Sequence, residues 1–213
     1  MDCCTLAGTN KFFNLQAGFM LWRFKRHGLR PEQRLLVEGI RRSGLSHAGI
    51  LEIGCGVGAL HLTLLQNGAA TAVGIDISEK MIATARRLAA EMALQPRTSY
   101  QQGDFLDLHD KLAAADVTIL DKVICCYPDA QRLIAGAAAR TRQTLAVSYP
   151  RHSHFARLAF RLVIAGLRLL RFGFHPYYHP PAQIEAWIHT QGFEKAFEAH
   201  TPIWAVQVYQ RRA

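Results

Sequence analysis

The 213-residue chain lacks the features that mark several large protein classes. No stretch reaches about 18 uninterrupted apolar residues, the length a membrane-spanning helix needs. Near the start, Asp2 and Lys11 stand where a secretory signal would have a basic region followed by an apolar run. No C-x-x-C pair occurs among the five cysteines, Cys3, Cys4, Cys55, Cys125 and Cys126. A structural zinc site needs three or four ligands at compatible spacing, so no metal site is expected. The odd cysteine count and the missing signal point to a reducing, cytoplasmic setting. Long polar tracts, low-complexity segments and internal repeats are also missing, which excludes large-scale disorder and solenoids.

The chain is half hydrophobic with 19% charged residues, and its formal net charge is +9. That length supports one full core, so a single domain is expected over 1–213. The positive residues are dispersed apart from Arg23–Arg34 and Arg151–Arg171, with no block like those of nucleic-acid-binding tails. A basic surface attracts nucleic acid, anionic membranes or anionic substrates without choosing among them.

Along the chain, helices are expected around 11–25 and 31–43. Pro31 suits a first helical position, and Gly44 the residue after a helix end. Short apolar runs then alternate with helical stretches. Strands are expected at Gly49–Ile53, Thr71–Ile77, Thr98–Gln102, Asp116–Leu120 and Thr144–Tyr149, and helices at Ala59–Gln66, Glu79–Leu94 and Asp129–Arg140. Such alternation implies βαβ crossovers and a parallel sheet. A last helix, Pro181–Gly192, precedes strands Phe193–His200 and Ile203–Gln210, whose short link makes them antiparallel.

Chemistry concentrates at the ends of these strands. Leu51-Glu52-Ile53-Gly54-Cys55-Gly56-Val57-Gly58 places alternate glycines after a buried strand, where the chain turns tightly and a ligand approaches main-chain atoms. Because Gly54-x-Gly56-x-x-Ala59 also satisfies the relaxed dinucleotide fingerprint, the loop alone is weak evidence. Glu52 is unhelpful beside a pyrophosphate but favourable beside a cationic sulfonium. Asp76 ends the second strand, where it can accept two ribose hydroxyls. Gly103-Asp104-Phe105 follows the third strand, offering an acid for an adenine amino group and a ring to pack on it. Parallel sheets bind ligands at these carboxyl ends.

Taken as a set, these segments resemble the S-adenosylmethionine (SAM)-dependent methyltransferases. Glu52 to Gly58 resembles the family's first motif, Val73-Gly74-Ile75-Asp76-Ile77-Ser78 its second, and Gly103-Asp104-Phe105 its adenine-side motif. Asp121-Lys122-Val123 resembles the segment after strand four that touches the methionine portion. The resemblance spans about residues 48–150. It implies SAM as cofactor, held by Glu52, Gly54, Cys55, Gly56, Gly58, Asp76, Ile77, Met81, Gly103, Asp104, Phe105, Asp121, Lys122 and Val123. The implied fold is α/β, a Rossmann-like seven-stranded, mostly parallel sheet whose last strand is antiparallel, with helices on both faces. Residues 1–47 then form an N-terminal helical cap, 48–150 the SAM-binding core, 151–180 a lid insertion after strand five, and 181–213 the closing helix and hairpin. The outer regions, with Phe12-Phe13-Asn14 and a basic-aromatic insertion before a His-Pro turn, are loosely similar to the magnesium-protoporphyrin O-methyltransferase-like group.

The acceptor side is read from what flanks this core. Tyr127, in Ile124-Cys125-Cys126-Tyr127-Pro128-Asp129, is expected to touch substrate and serve catalysis. His152 and His154, after strand five, are candidate general bases, since imidazole titrates near neutral pH. Phe13, Trp22, Tyr149, Arg151 and Tyr178 are further substrate candidates. Within 155–171, Arg157, Arg161, Arg168 and Arg171 fall within about 80° of a helix turn. The segment therefore reads as a lid, or else as a peripheral membrane contact. In-line transfer to a small-molecule acceptor is the expected activity. An RNA methyltransferase, an NAD(P)-dependent oxidoreductase and a non-catalytic SAM-binding protein are the rivals; nothing specific to nucleic acid is visible.

Overall fold

A computed structural model describes residues 6–151, 162, 164–166, 174 and 176–212. Seven strands form one sheet: β1 (Gly49–Ile53), β2 (Thr71–Asp76), β3 (Thr98–Gln102), β4 (Ala115–Asp121), β5 (Thr141–Pro150), β6 (Phe193–His200) and β7 (Trp204–Arg211). Their order is β3-β2-β1-β4-β5-β7-β6. The first five are parallel, while β7 runs antiparallel to both β5 and β6. The reversed strand therefore lies between β5 and β6, not at the edge.

The helices are α1 (Leu6–His27), α2 (Pro31–Arg42), α3 (Ala59–Gln66), α4 (Glu79–Glu91), α5 (Phe105–Leu108), α6 (Ala130–Ala139) and α7 (Pro181–Thr190). A helical stretch also includes Leu162 and 164–166. Two apolar clusters flank the sheet. One gathers Leu36, Ile40, Leu62, Leu88 and Val208; the other gathers Leu51, Phe105, Leu133, Ile184 and Tyr209. Strand alternation divides neighbours between them: Ala146 packs in the first, Leu145, Val147 and Tyr149 in the second.

Element types follow the sequence closely, with one helix unexpected. Asp104 caps α5 by accepting from the Leu106 N–H at 2.9 Å. Ser78 caps α4 as its sequence suggests, accepting from Met81 N at 3.1 Å. That cap is also a clasp. Asn14 of α1 accepts from the Ser78 hydroxyl at 2.7 Å and from Lys80 N at 3.0 Å. The N-terminal helix is thereby fixed over the carboxyl end of β2.

Candidate active site

Carboxyl ends of β1 to β4 open into a cavity of about 550 Å³, roofed by Thr9, Phe13, Gln16 and Met20 of α1. Its size suits a nucleoside-sized ligand. The glycine bend forms one wall. Gly54 has φ +66°, and a Cβ there would lie 2.4 Å from Val123 Cγ2. Only glycine lets the β1 and β4 ends approach so closely.

Asp76 bridges the bend and the start of α4. Its Oδ2 accepts from Gly56 N and its Oδ1 from Ser78 N, both at 2.8 Å. Each oxygen keeps a lone pair for a hydroxyl donor. Burial, opposed by those two amides, pushes its pKa up to about 6.

Glu52 is almost fully buried and lines the cavity floor. Its Oε2 accepts from His61 N at 3.2 Å and lies 2.6 Å from His61 Nδ1. The other ring nitrogen is 2.9 Å from the Tyr100 hydroxyl. His61 is wholly buried, so a closed relay runs from Tyr100 on β3 through α3 to the cavity. A Cβ on Gly58 (φ +82°) would come within 3.1 Å of that imidazole, which gives the third glycine a packing role. Gly58 was expected to hold the cofactor but does not line the cavity; it makes room for the ring behind. Burial raises the Glu52 pKa despite the histidine.

Asp121 ends β4 with both oxygens engaged. Oδ1 accepts from the Ser148 hydroxyl at 2.5 Å, and Oδ2 from Gln33 Nε2 at 2.9 Å. The adjoining Lys122 has a left-handed backbone, φ +61°. Its ammonium meets Glu32 at 2.8 Å, and the Trp204 ring centroid lies 5.5 Å away. The start of α2 is thus bound to the end of β4.

On the opposite side, Asp104 Oδ1 also accepts from the Tyr127 hydroxyl at 2.7 Å. This geometry departs from the acceptor-side role expected for Tyr127. Burial first, then the Asp104 charge, drives the phenol's pKa far up, leaving it neutral and poorly suited as a base. Phe105, Leu106, Ile77 and Met81 complete this end. Cys55 and Cys125 are buried, and Cys126 lines the cavity.

Other expected residues sit elsewhere. Phe13 lines the cavity but Trp22 does not: nine residues later on a helix is about half a turn away, and Trp22 faces outward. Tyr149 is buried on the sheet face opposite Ser148, donating to Gln207 Oε1 at 2.6 Å. Arg151 binds Thr201 O at 3.2 Å and stays at the β6–β7 connection. Tyr178 lies outside the lining. Its turn is nonetheless tied to the site, since Tyr177 N donates to Cys125 O at 2.7 Å and His179 Nε2 lies 2.9 Å from Tyr127 O. Phe174 stacks on Phe12 at 5.0 Å. His152, His154 and 155–171 apart from 162 and 164–166 fall outside the described residues. His61, Tyr100, Arg30 and Gln33 were not anticipated.

A sheet of this order with the seventh strand reversed, and acids at the ends of four adjacent strands around a glycine bend, defines the class I methyltransferase architecture. A methyltransferase domain profile matches residues 50–144. The chain is 30% identical over 140 residues to phosphatidylethanolamine N-methyltransferase of Cereibacter sphaeroides, covering 63% of this chain and 67% of that protein. Magnesium protoporphyrin IX methyltransferase of Synechocystis PCC 6803, solved with bound S-adenosylhomocysteine (SAH), superposes with TM-score 0.73 at 23% identity, over 96% of this chain and 98% of the other. An O-methyltransferase family protein from Burkholderia thailandensis gives 0.67 at 17% identity, over 85% and 56% of the respective chains. The chain belongs to the SAM-dependent methyltransferase family. The residues present fit that donor: Asp76 retains acceptor capacity beside the bend, and the carboxyl groups of Glu52 and Asp121 line the same cavity, where a sulfonium would meet them. Among the described residues no helix is long and apolar enough to cross a membrane, and no cluster of metal-ligating side chains occurs.

Proposed function

We propose that the protein transfers the methyl group of SAM directly to a small or lipidic acceptor through an oxygen, nitrogen or sulfur nucleophile. One observation carries this reading: Glu52, Asp76, Asp104 and Asp121 all line one cavity. The donor supplies an electrophilic methyl on a cationic sulfur. Asp76 takes the ribose hydroxyls on its spare lone pairs. Asp104, steadied by Tyr127 and the α5 amide, takes the adenine end with Phe105 beneath. Glu52 and Asp121 face the methionine end.

Alignment of nucleophile, methyl and leaving sulfur supplies much of the acceleration in such a displacement. The described residues serve it by holding the donor and excluding water under α1. A general base is needed only for an acceptor protonated at working pH, and His152 and His154 stay the candidates for that task. The acceptor enters beneath α1, on the side of the cavity lined by Phe13, Gln16 and Met20. The family's range supports an amphiphilic acceptor, since one relative is named for a phospholipid and a structural neighbour for a porphyrin.

SAH release against a panel of phenols, carboxylates, thiols, amines and phospholipids tests the proposal. Acceptor-dependent SAH formation is expected. SAM binding without turnover on any acceptor would favour a non-catalytic binder, and stimulation by RNA with a steep salt dependence would favour the nucleic-acid reading.

Tyr127→Phe distinguishes cofactor support from catalysis. Loss of its bond to a charged acceptor should weaken donor affinity by about tenfold, with turnover at saturating donor retained. Calorimetry and initial rates measure both; a fall in saturated turnover at unchanged affinity would restore the catalytic assignment.

A further inference from the structure

Helix α1 presents apolar side chains on both of its sides. Inward, Ala17 and Leu21 are buried and Phe13 and Met20 line the cavity. Outward, Leu15, Phe19 and Trp22 are 63%, 59% and 57% exposed. Single exposed apolar residues are ordinary. These three are contiguous, and the Phe19 and Trp22 rings stack at 5.8 Å. At 100° per residue, Lys11, Leu15, Phe19, Trp22 and Arg26 fall within an arc of about 80°. Exposed cations therefore bracket the apolar patch at both ends.

Charge on this part of the chain has one sign. Between Asp2 and Glu32 the sequence carries Lys11, Arg23, Lys25, Arg26 and Arg30, and no acid. Among the described residues, only Lys25 of these five forms an ion pair, with Glu91. We propose that the outward face of α1 docks on an anionic phospholipid surface, the helix lying in the interface with Phe19 and Trp22 inserted. Indole suits that boundary, with an apolar ring and one polar N–H. Flanking lysine and arginine stems reach the headgroups while their methylenes stay in the apolar layer. A second copy fits less well: a two-fold contact through this patch would set the cations of one helix against those of the other with no acid between. Since α1 roofs the cavity, docking places the donor site directly beneath the bilayer surface. The inference does not depend on the acceptor proposed above, because vesicle binding needs no turnover.

Co-sedimentation with vesicles of phosphatidylcholine alone, and of phosphatidylcholine containing one third phosphatidylglycerol, tests it. The full chain should sediment with the anionic vesicles and remain in solution with the neutral ones. Replacing Phe19→Ser and Trp22→Ser together should reduce the bound fraction at least about tenfold. Lys11→Gln with Arg26→Gln should reduce it about as much and flatten its salt dependence. SAM affinity should be unchanged in both variants, since none of these side chains lines the cavity. Absence of wild-type binding to anionic vesicles, or equal binding by the serine variant, overturns the proposal. So does light scattering that shows a dimer converted to monomers by the serine changes, which would make the patch a contact between copies.

Discussion

Replacing Asp76 by asparagine will cost the protein most of its SAM affinity while leaving apo thermal stability no lower. Asparagine keeps one acceptor oxygen where the aspartate has two, and that oxygen cannot serve Gly56, Ser78 and two hydroxyls together. Two lost bonds to a charged acceptor amount to about 3–6 kcal/mol, a weakening of about a hundredfold or more. Stability moves the other way. The ordinary Asp76 pKa of 3.8 rises to about 6 in the folded chain, so the native state holds this proton more tightly than the unfolded one. Stability is then greatest below the unfolded value and falls as pH rises through about 6, by about 3 kcal/mol in total. Asparagine removes that penalty, offset in part by one lost amide bond. In the wild type, donor binding should strengthen between pH 5 and 7 as Asp76 ionises, and the variant should lose this component. Calorimetry across that range and melting of the apo protein check both; wild-type affinity in the variant would remove the ribose assignment.

His61→Ala is expected to be the most damaging single change outside the cavity. It opens a void in a closely packed region and strips Glu52 of the imidazole that bonds its carboxyl group. A buried carboxylate losing its partner costs about 3–5 kcal/mol, unless it takes up a proton instead. A protonated Glu52 no longer offers negative charge to the cavity. Affinity should therefore fall more for cationic SAM than for SAH, which lacks the sulfonium charge. Glu52→Gln should shrink the effect of the histidine change, because the two groups act as a pair. The double-mutant cycle on melting temperature, with calorimetry of both ligands, reads this out. Equal losses for SAM and SAH would reduce His61 to a packing residue.

Why the sequence exposes Asp76 and hides His61 is a matter of range. Asp76 ends an apolar run and precedes a capping serine, so its place at a strand end is visible locally. His61 lies in Ala-Leu-His-Leu-Thr-Leu-Leu-Gln, where its partners are 9 and 39 residues away. Its one local signal is a polar ring inside a helix buried nearly all round. Strands β1, β2, β4 and β5 are legible for the same reason as Asp76, each being built on a compact apolar run, whereas β3 shows only Thr98 and Tyr100 at alternate positions before Gly103. Helix α5 is not, since four residues are too few to show a helical period and its stability comes from the Asp104 cap. Gln33 and Glu32 look like an ordinary first turn, and only tertiary packing delivers them to Asp121 and Lys122. Trp22 and Tyr149 show the converse limit. Both are aromatic and near the right elements, but helix phase and strand alternation turn them away from the cavity.

Strand order also dictates a sequence of events at the ribosome. β6 is synthesised before β7, yet among the described residues its sheet partner is β7 alone. Until Trp204–Arg211 has emerged, β6 can hold only to helices, and the outer edge of β5 stays open. The edges of β5 and β6 that β7 will join therefore stay unsatisfied together, and the insertion of that one strand closes both.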